Sequence, residues 1–97
     1  MNTAINTYRS LEDALKTAIQ DVPDFPQAGV VFKDLSPVWA NPSLRAKAVN
    51  AVAEWIQSTG STPTAIAGIE SRGFLLGMSL ADRLNVPFVA LRKAGKL

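Results

Sequence analysis

The 97-residue chain contains no cysteine and no histidine. The first absence excludes disulfides and thiol chemistry, and the second removes the commonest general base and metal ligand. The acidic residues are scattered, so no metal-ligand cluster stands out. No apolar run approaches the ~18 uncharged residues that a membrane helix needs. Met1 to Asn6 lacks a basic segment followed by an apolar core, so no secretory leader is expected and the default expectation is cytoplasmic. Two phosphate-binding fingerprints are also missing. Gly68 and Gly73 have the G-x-x-x-x-G spacing, but Phe74-Leu75 stand where a P-loop places Lys followed by Ser or Thr. The lysine that reaches the terminal phosphates and the hydroxyl that holds magnesium are therefore absent, and there is no G-x-G-x-x-G. No internal repeat or low-complexity segment is visible.

The apolar fraction of 47% is that of an ordinary packed globular chain, and the length allows one modest domain at most. The formal charge of +2 hides an asymmetry. Residues 1–70 carry five Lys/Arg against seven Asp/Glu, or −2, whereas residues 71–97 carry five against Asp82 alone, or +4. Nucleic-acid binding calls for a broader basic stripe with interleaved aromatics. A cation excess confined to Arg72, Arg83, Arg92, Lys93 and Lys96 suits a compact phosphorylated small molecule better.

Ser10 precedes Asp13 by three residues, a near match to a capping box. Leu11, Ala14, Leu15, Ala18, Ile19 and Val22 then keep helical spacing up to Pro23, which predicts a packing helix over about 10–21. Asp24 to Gly29 is turn material, Val30-Val31-Phe32 a short extended piece, and Lys33-Asp34 its break. Phe32 suits a core ring or a platform for a flat base. Asn41-Pro42 opens a second helix, with Leu44, Ala48, Ala51, Val52, Trp55 and Ile56 as its buried stripe and Gly60 to end it. A strand is expected at 64–69, a helix at about 73–84, and a second strand at Pro87–Leu91. Strand, helix, strand implies a parallel pair, an α/β arrangement whose ligands sit beyond the carboxyl ends of the strands. Those ends are Ile69 and Leu91, so Glu70–Arg72 and Arg92–Lys96 are expected on one side. Free amides at the helix start and the planar fork of Arg72 suit an anion. The same turn also suits an ordinary strand-to-helix connection with two surface charges.

Three segments together carry a resemblance: Val22-Pro-Asp-Phe-Pro-Gln-Ala-Gly-Val-Val-Phe-Lys-Asp-Leu-Ser-Pro37, Ala67-Gly-Ile-Glu-Ser-Arg-Gly-Phe74, and Leu91-Arg-Lys-Ala-Gly-Lys-Leu97. In order and separation they resemble adenine phosphoribosyltransferase, over roughly residues 10–97. The resemblance implies the N-terminal part of a type I phosphoribosyltransferase fold, a parallel sheet flanked by helices plus a small hood. Residues 1–97 would form the N-terminal portion of one such domain, with the hood segment at about 22–37 and a strand–helix–strand core at about 64–92.

The implied activity belongs to purine salvage: transfer of ribose 5-phosphate from phosphoribosyl pyrophosphate to adenine, giving AMP and pyrophosphate. Mg²⁺ would ride on the diphosphate, and the working unit would be a cytoplasmic homodimer with neither nucleic-acid nor membrane partners. Carried over by position, Val31, Phe32 and Lys33 fall in the hood that holds adenine. Val31 would pair with the base through its backbone and Phe32 would pack on the ring. Lys33 stands where the family usually has arginine, and a lysine lacks that planar fork. Glu70, Ser71 and Arg72 match the pyrophosphate loop, where a cis Glu70–Ser71 peptide is implied. Arg72 would stabilise the leaving group, and Arg92, Lys93 and Lys96 match the basic segment that reaches diphosphate, partly across the dimer. The family's mobile loop and its ribose phosphate-binding motif would follow Leu97, so these 97 residues alone are expected to be inactive. A phosphoribosyl pyrophosphate-sensing module of the same fold, or a transferase for another purine base, remains open.

Overall fold

The computed structural model of the chain describes residues 3–95, with side chains from Arg9 onward. It divides into two compact units between Ala48 and Val49. The first contains helix α1 (Thr3–Ala18), strands β1 (Gln20–Pro23) and β2 (Val31–Asp34), and the short helix α2 (Ser36–Ala40). Helix α3 (Pro42–Ser58) spans the division, and β3 (Ile66–Ile69), α4 (Arg72–Leu84) and β4 (Phe88–Leu91) complete the second unit.

Helix α1 begins well before Ser10 and stops at Ala18, so the expected helix over 10–21 is shifted toward the N-terminus. Leu11, Leu15, Ala18 and Ile19 are half-buried, as their spacing predicts, and the exposed face carries a Glu12–Lys16 pair at 3.0 Å. Beyond Ala18 tertiary pairing overrides helical spacing. Gln20–Pro23 runs antiparallel to β2, with Asp21 opposite Lys33 and Val22 opposite Phe32. Lys33 and Asp34 thus extend the strand that they were expected to break, because their side chains alternate across a hairpin whose outer face is exposed. The connection uses Asp24 and Gly29 at positive φ (55° and 83°). Asp24 Oδ1 accepts from Gly29 N–H at 3.0 Å, an aspartate fastening its own turn. Asp34 Oδ1 accepts from Ser36 N–H at 2.9 Å where the chain enters α2, whose Val38 is fully buried.

Asn41 caps α3 as expected: its Oδ1 accepts from Leu44 N–H at 3.1 Å. Of the expected stripe, Leu44 is buried and Ala48, Ala51, Val52 and Ile56 are half-buried, while Val49 and Ala53 are buried in addition. Val49 and Ala53 join Leu80 of α4 in the core, with Val52, Ile56, Ile66, Leu76 and Leu84 packed around them. Trp55 is 67% exposed, since at 3.6 residues per turn it falls off the edge of a stripe centred on Val49, Val52, Ala53 and Ile56.

Strands β3 and β4 are parallel, pairing Ile66 with Phe88 and Ile69 with Leu91. The strand–helix–strand unit expected from the sequence is therefore present, and the fold is α/β. Its tightest packing lies between β3 and α4. A Cβ on Gly68 would lie 2.5 Å from the Gly73 carbonyl oxygen, and one on Gly77 would lie 2.5 Å from Phe88 Cε1. Asn85, in the left-handed conformation at φ 57°, ends α4 and turns the chain toward β4.

Two substitutions test this packing in urea denaturation. Gly68→Ala, which forces a methyl into backbone, is expected to destabilise the chain by ~2–3 kcal/mol. Asn41→Ala, which only removes a cap, is expected to cost ~1 kcal/mol. An unchanged midpoint for Gly68→Ala would contradict the described β3–α4 contact.

Candidate functional site

Within the first unit, the expected base-holding residues all lie on β2. Val31 opens the strand opposite Pro23 and is 53% exposed. Phe32 is half-buried, and its ring meets Phe25 edge to face with centroids 5.3 Å apart. Phe25 itself is half-exposed and Val30 is exposed, so the hairpin presents apolar surface next to Val31. The peptide between Phe25 and Pro26 is cis. Lys33 Nζ lies 2.6 Å from Asp21 Oδ1, a cross-strand ion pair that sequence reasoning missed because the pairing of β1 with β2 was not foreseen.

Within the second unit, the turn after β3 and the segment after β4 meet, as the parallel register requires. Glu70 N–H donates to the Leu91 carbonyl at 3.1 Å. Glu70 Oε1 accepts from Lys93 N–H at 2.7 Å, and Oε2 lies 3.8 Å from Arg92 Nη2. The peptide between Glu70 and Ser71 is cis, as the resemblance implied. Ser71 is the N-cap of α4, but its side chain makes no capping hydrogen bond. Arg72 is the first residue of the helix and is exposed. The structure thus brings Glu70, Arg92 and Lys93 together beside the start of α4. Lys96 lies outside the described residues.

Phe74, the last residue of the second sequence segment, also belongs to this cluster. Its ring lies 5.8 Å from Arg92 Cζ and stands edge to face against Phe88 at 6.1 Å. An arginine over an aromatic face is held by the ring quadrupole while its N–H groups stay available at the edge. No spacing rule links Phe74 to Arg92. Only the parallel register, once known, places them side by side.

The fold at this turn is α/β, and the groups gathered there are of kinds that suit an anion. First-turn amides of a 13-residue helix, an arginine at its head and two cations on the adjoining strand end surround the carboxyl ends of a parallel pair. Among the described residues no group of three or more acidic side chains could hold a metal directly, and no helix is long and apolar enough to cross a membrane.

The chain belongs to the phosphoribosyl transferase domain family, whose model matches residues 40–97. It is 48% identical over 85 residues to the adenine phosphoribosyltransferase of Francisella philomiragia, an alignment covering 88% of this chain and 49% of the relative. The chain therefore spans about half the length of the curated relatives it matches. Among solved structures it resembles the adenine phosphoribosyltransferase of Saccharomyces cerevisiae complexed with an imino-altritol bisphosphate and adenine. That comparison gives a TM-score of 0.86 at 41% identity, over 92% of this chain and 54% of the yeast chain. The Trypanosoma brucei enzyme, in complex with AMP, pyrophosphate and ribose-5-phosphate, matches with a TM-score of 0.78 at 29% identity. This comparison covers 90% of this chain and 38% of that one. The resemblance read from the three sequence segments is borne out, and the α/β fold matches part of these enzymes.

The Lys33–Asp21 pair has both side chains about 60% exposed, so solvent screens it strongly. Asp21→Asn is expected to change stability by no more than ~1 kcal/mol, and by less in ~0.5 M salt. A loss of several kcal/mol in urea titrations would show that the pair does more than fasten the hairpin surface.

Proposed function

We propose that these residues carry the base- and diphosphate-binding part of an adenine phosphoribosyltransferase, which joins ribose 5-phosphate from phosphoribosyl pyrophosphate to adenine. The observation that carries the reading is the gathering of Glu70, Arg92 and Lys93 beside the Arg72 helix start, at the carboxyl ends of β3 and β4. It occurs in a chain 48% identical to a curated adenine phosphoribosyltransferase. In this reading Glu70, Ser71 and Arg72 form the pyrophosphate loop, and Arg92, Lys93 and Lys96 the basic segment that reaches the diphosphate. Val31, Phe32 and Lys33 form the adenine hood. Val31, itself 53% exposed, would pair with the base edge through its backbone, and the Phe25–Phe32 pair would supply an aromatic wall. Residues 1–97 are the N-terminal portion of one domain, and the working enzyme is a cytoplasmic homodimer.

Charge dictates the mechanism. Breaking the bond between the anomeric carbon and the diphosphate oxygen leaves positive charge on the ribose and adds negative charge to the departing group. Donors fixed near that group stabilise the transition state more than the ground state. Arg72 and the turn amides would do this from the helix side, and Arg92 and Lys93 from the strand side. Magnesium bound to the diphosphate would share that negative charge, while Arg72, Arg92 and Lys93 would meet the remainder.

A chimaera of residues 1–97 followed by the C-terminal half of the Francisella philomiragia relative tests the proposal. It is expected to form AMP from adenine and phosphoribosyl pyrophosphate, and to use hypoxanthine, guanine and xanthine poorly. The 97-residue chain alone is expected to form none. Arg72→Ala in the chimaera should lower turnover on the order of 100-fold or more. An unchanged rate would remove Arg72 from the mechanism, and preference for another base would overturn the assignment of adenine.

A further inference from the structure

The ladder between β3 and β4 ends in an unusual way. Its last main-chain bond runs from Glu70 N–H to the Leu91 carbonyl, 3.1 Å. A parallel ladder extended by one residue would next bring Lys93 N–H to the main-chain carbonyl of Glu70. Here Lys93 N–H donates instead to Glu70 Oε1, at 2.7 Å. The second carboxylate oxygen lies 3.8 Å from Arg92 Nη2, and the Arg92 guanidinium rests over the Phe74 ring.

We infer that Glu70 is a positioning residue whose carboxylate replaces the missing main-chain acceptor. By doing so it fastens the segment after β4 to the turn after β3. The arrangement answers a physical difficulty. A carboxylate at a site for a diphosphate would repel the ligand if it faced it. Both oxygens of Glu70 are instead engaged by residues 92 and 93, and its side chain is only 21% exposed. A charge-assisted N–H bond in such a partly sheltered place is stronger than a neutral one. Its negative charge is thereby spent on holding Arg92 and Lys93 in register with Arg72. Phe74 completes the latch from the helix side, because its ring attracts the Arg92 guanidinium, 5.8 Å away, without using its N–H groups.

The latch is a feature of the fold, and its consequence for ligand binding rests on the proposed diphosphate site. Two readouts keep these apart. In the wild-type chain, hydrogen exchange followed by NMR is expected to show the Lys93 amide protected on the order of tenfold over that of Ala94. Glu70→Ala should abolish that protection, whereas Glu70→Gln, whose amide oxygen can still accept, should keep most of it. Magnesium pyrophosphate titrations should then show Glu70→Ala weakened about tenfold and Glu70→Gln within roughly threefold of wild type. An unprotected Lys93 amide in the wild-type chain would overturn the latch without any variant. So would a Glu70→Ala protein that keeps the protection and binds pyrophosphate as well as, or better than, wild type. If wild type leaves magnesium pyrophosphate unbound, the diphosphate reading fails, and Lys93 exchange alone decides the latch.

Discussion

Strand β3 and helix α4 meet backbone to backbone, and this is possible only because Gly68 carries no side chain. The distance from a hypothetical Cβ on Gly68 to the Gly73 carbonyl oxygen, 2.5 Å, leaves no room for even a methyl group. The contact sets where α4 begins and therefore where its first-turn amides and Arg72 stand. Gly77, one turn further along, repeats the device against the Phe88 ring and brings β4 alongside. Two glycines thus fix the mutual placement of the two strands and the helix. The core residues Val49, Ala53 and Leu80 secure the helix pair behind them.

From that placement the site follows with few further choices. Pairing Ile69 with Leu91 makes both strands end at the same level, so the residues just beyond them become neighbours. Glu70 then faces Arg92 and Lys93, and Phe74, one turn into α4, comes under the Arg92 guanidinium. A parallel sheet bound by its helix leaves this edge as the natural place for an anionic ligand. Of the cations in the last 27 residues, Arg72, Arg92 and Lys93 stand at this edge, whereas Arg83, in the last turn of α4, donates to Asn50 Oδ1 at 2.8 Å.

Strand–helix–strand was legible in the sequence because its signals are local. An apolar run of Ile66 to Ile69, helical spacing through Leu76, Leu80 and Leu84, and a second apolar run each stand out unaided. The gathering of Glu70 with Arg92 and Lys93 was legible too, since it depends only on where parallel strands end. The β1–β2 hairpin was not. Ile19 and Val22 continue a helical period, and only pairing with β2 pulls Gln20–Pro23 out of it. The Asp21–Lys33 and Phe74–Arg92 contacts were hidden for a related reason: each joins residues that local patterns leave far apart. Trp55 misled because it continues the helical spacing of Ala48, Ala51 and Val52, whereas the stripe is centred on Val49 and Ala53 and leaves it outward.

The most direct test of the central claim, that the ends of β3 and β4 form one anion site, is an amide NMR map of the chain titrated with magnesium pyrophosphate. The account predicts shifts concentrated at residues 70–74 and 91–95, saturating together with a single affinity. Shifts at only one of the two segments, or spread over the exposed lysines and arginines without saturation, would contradict it.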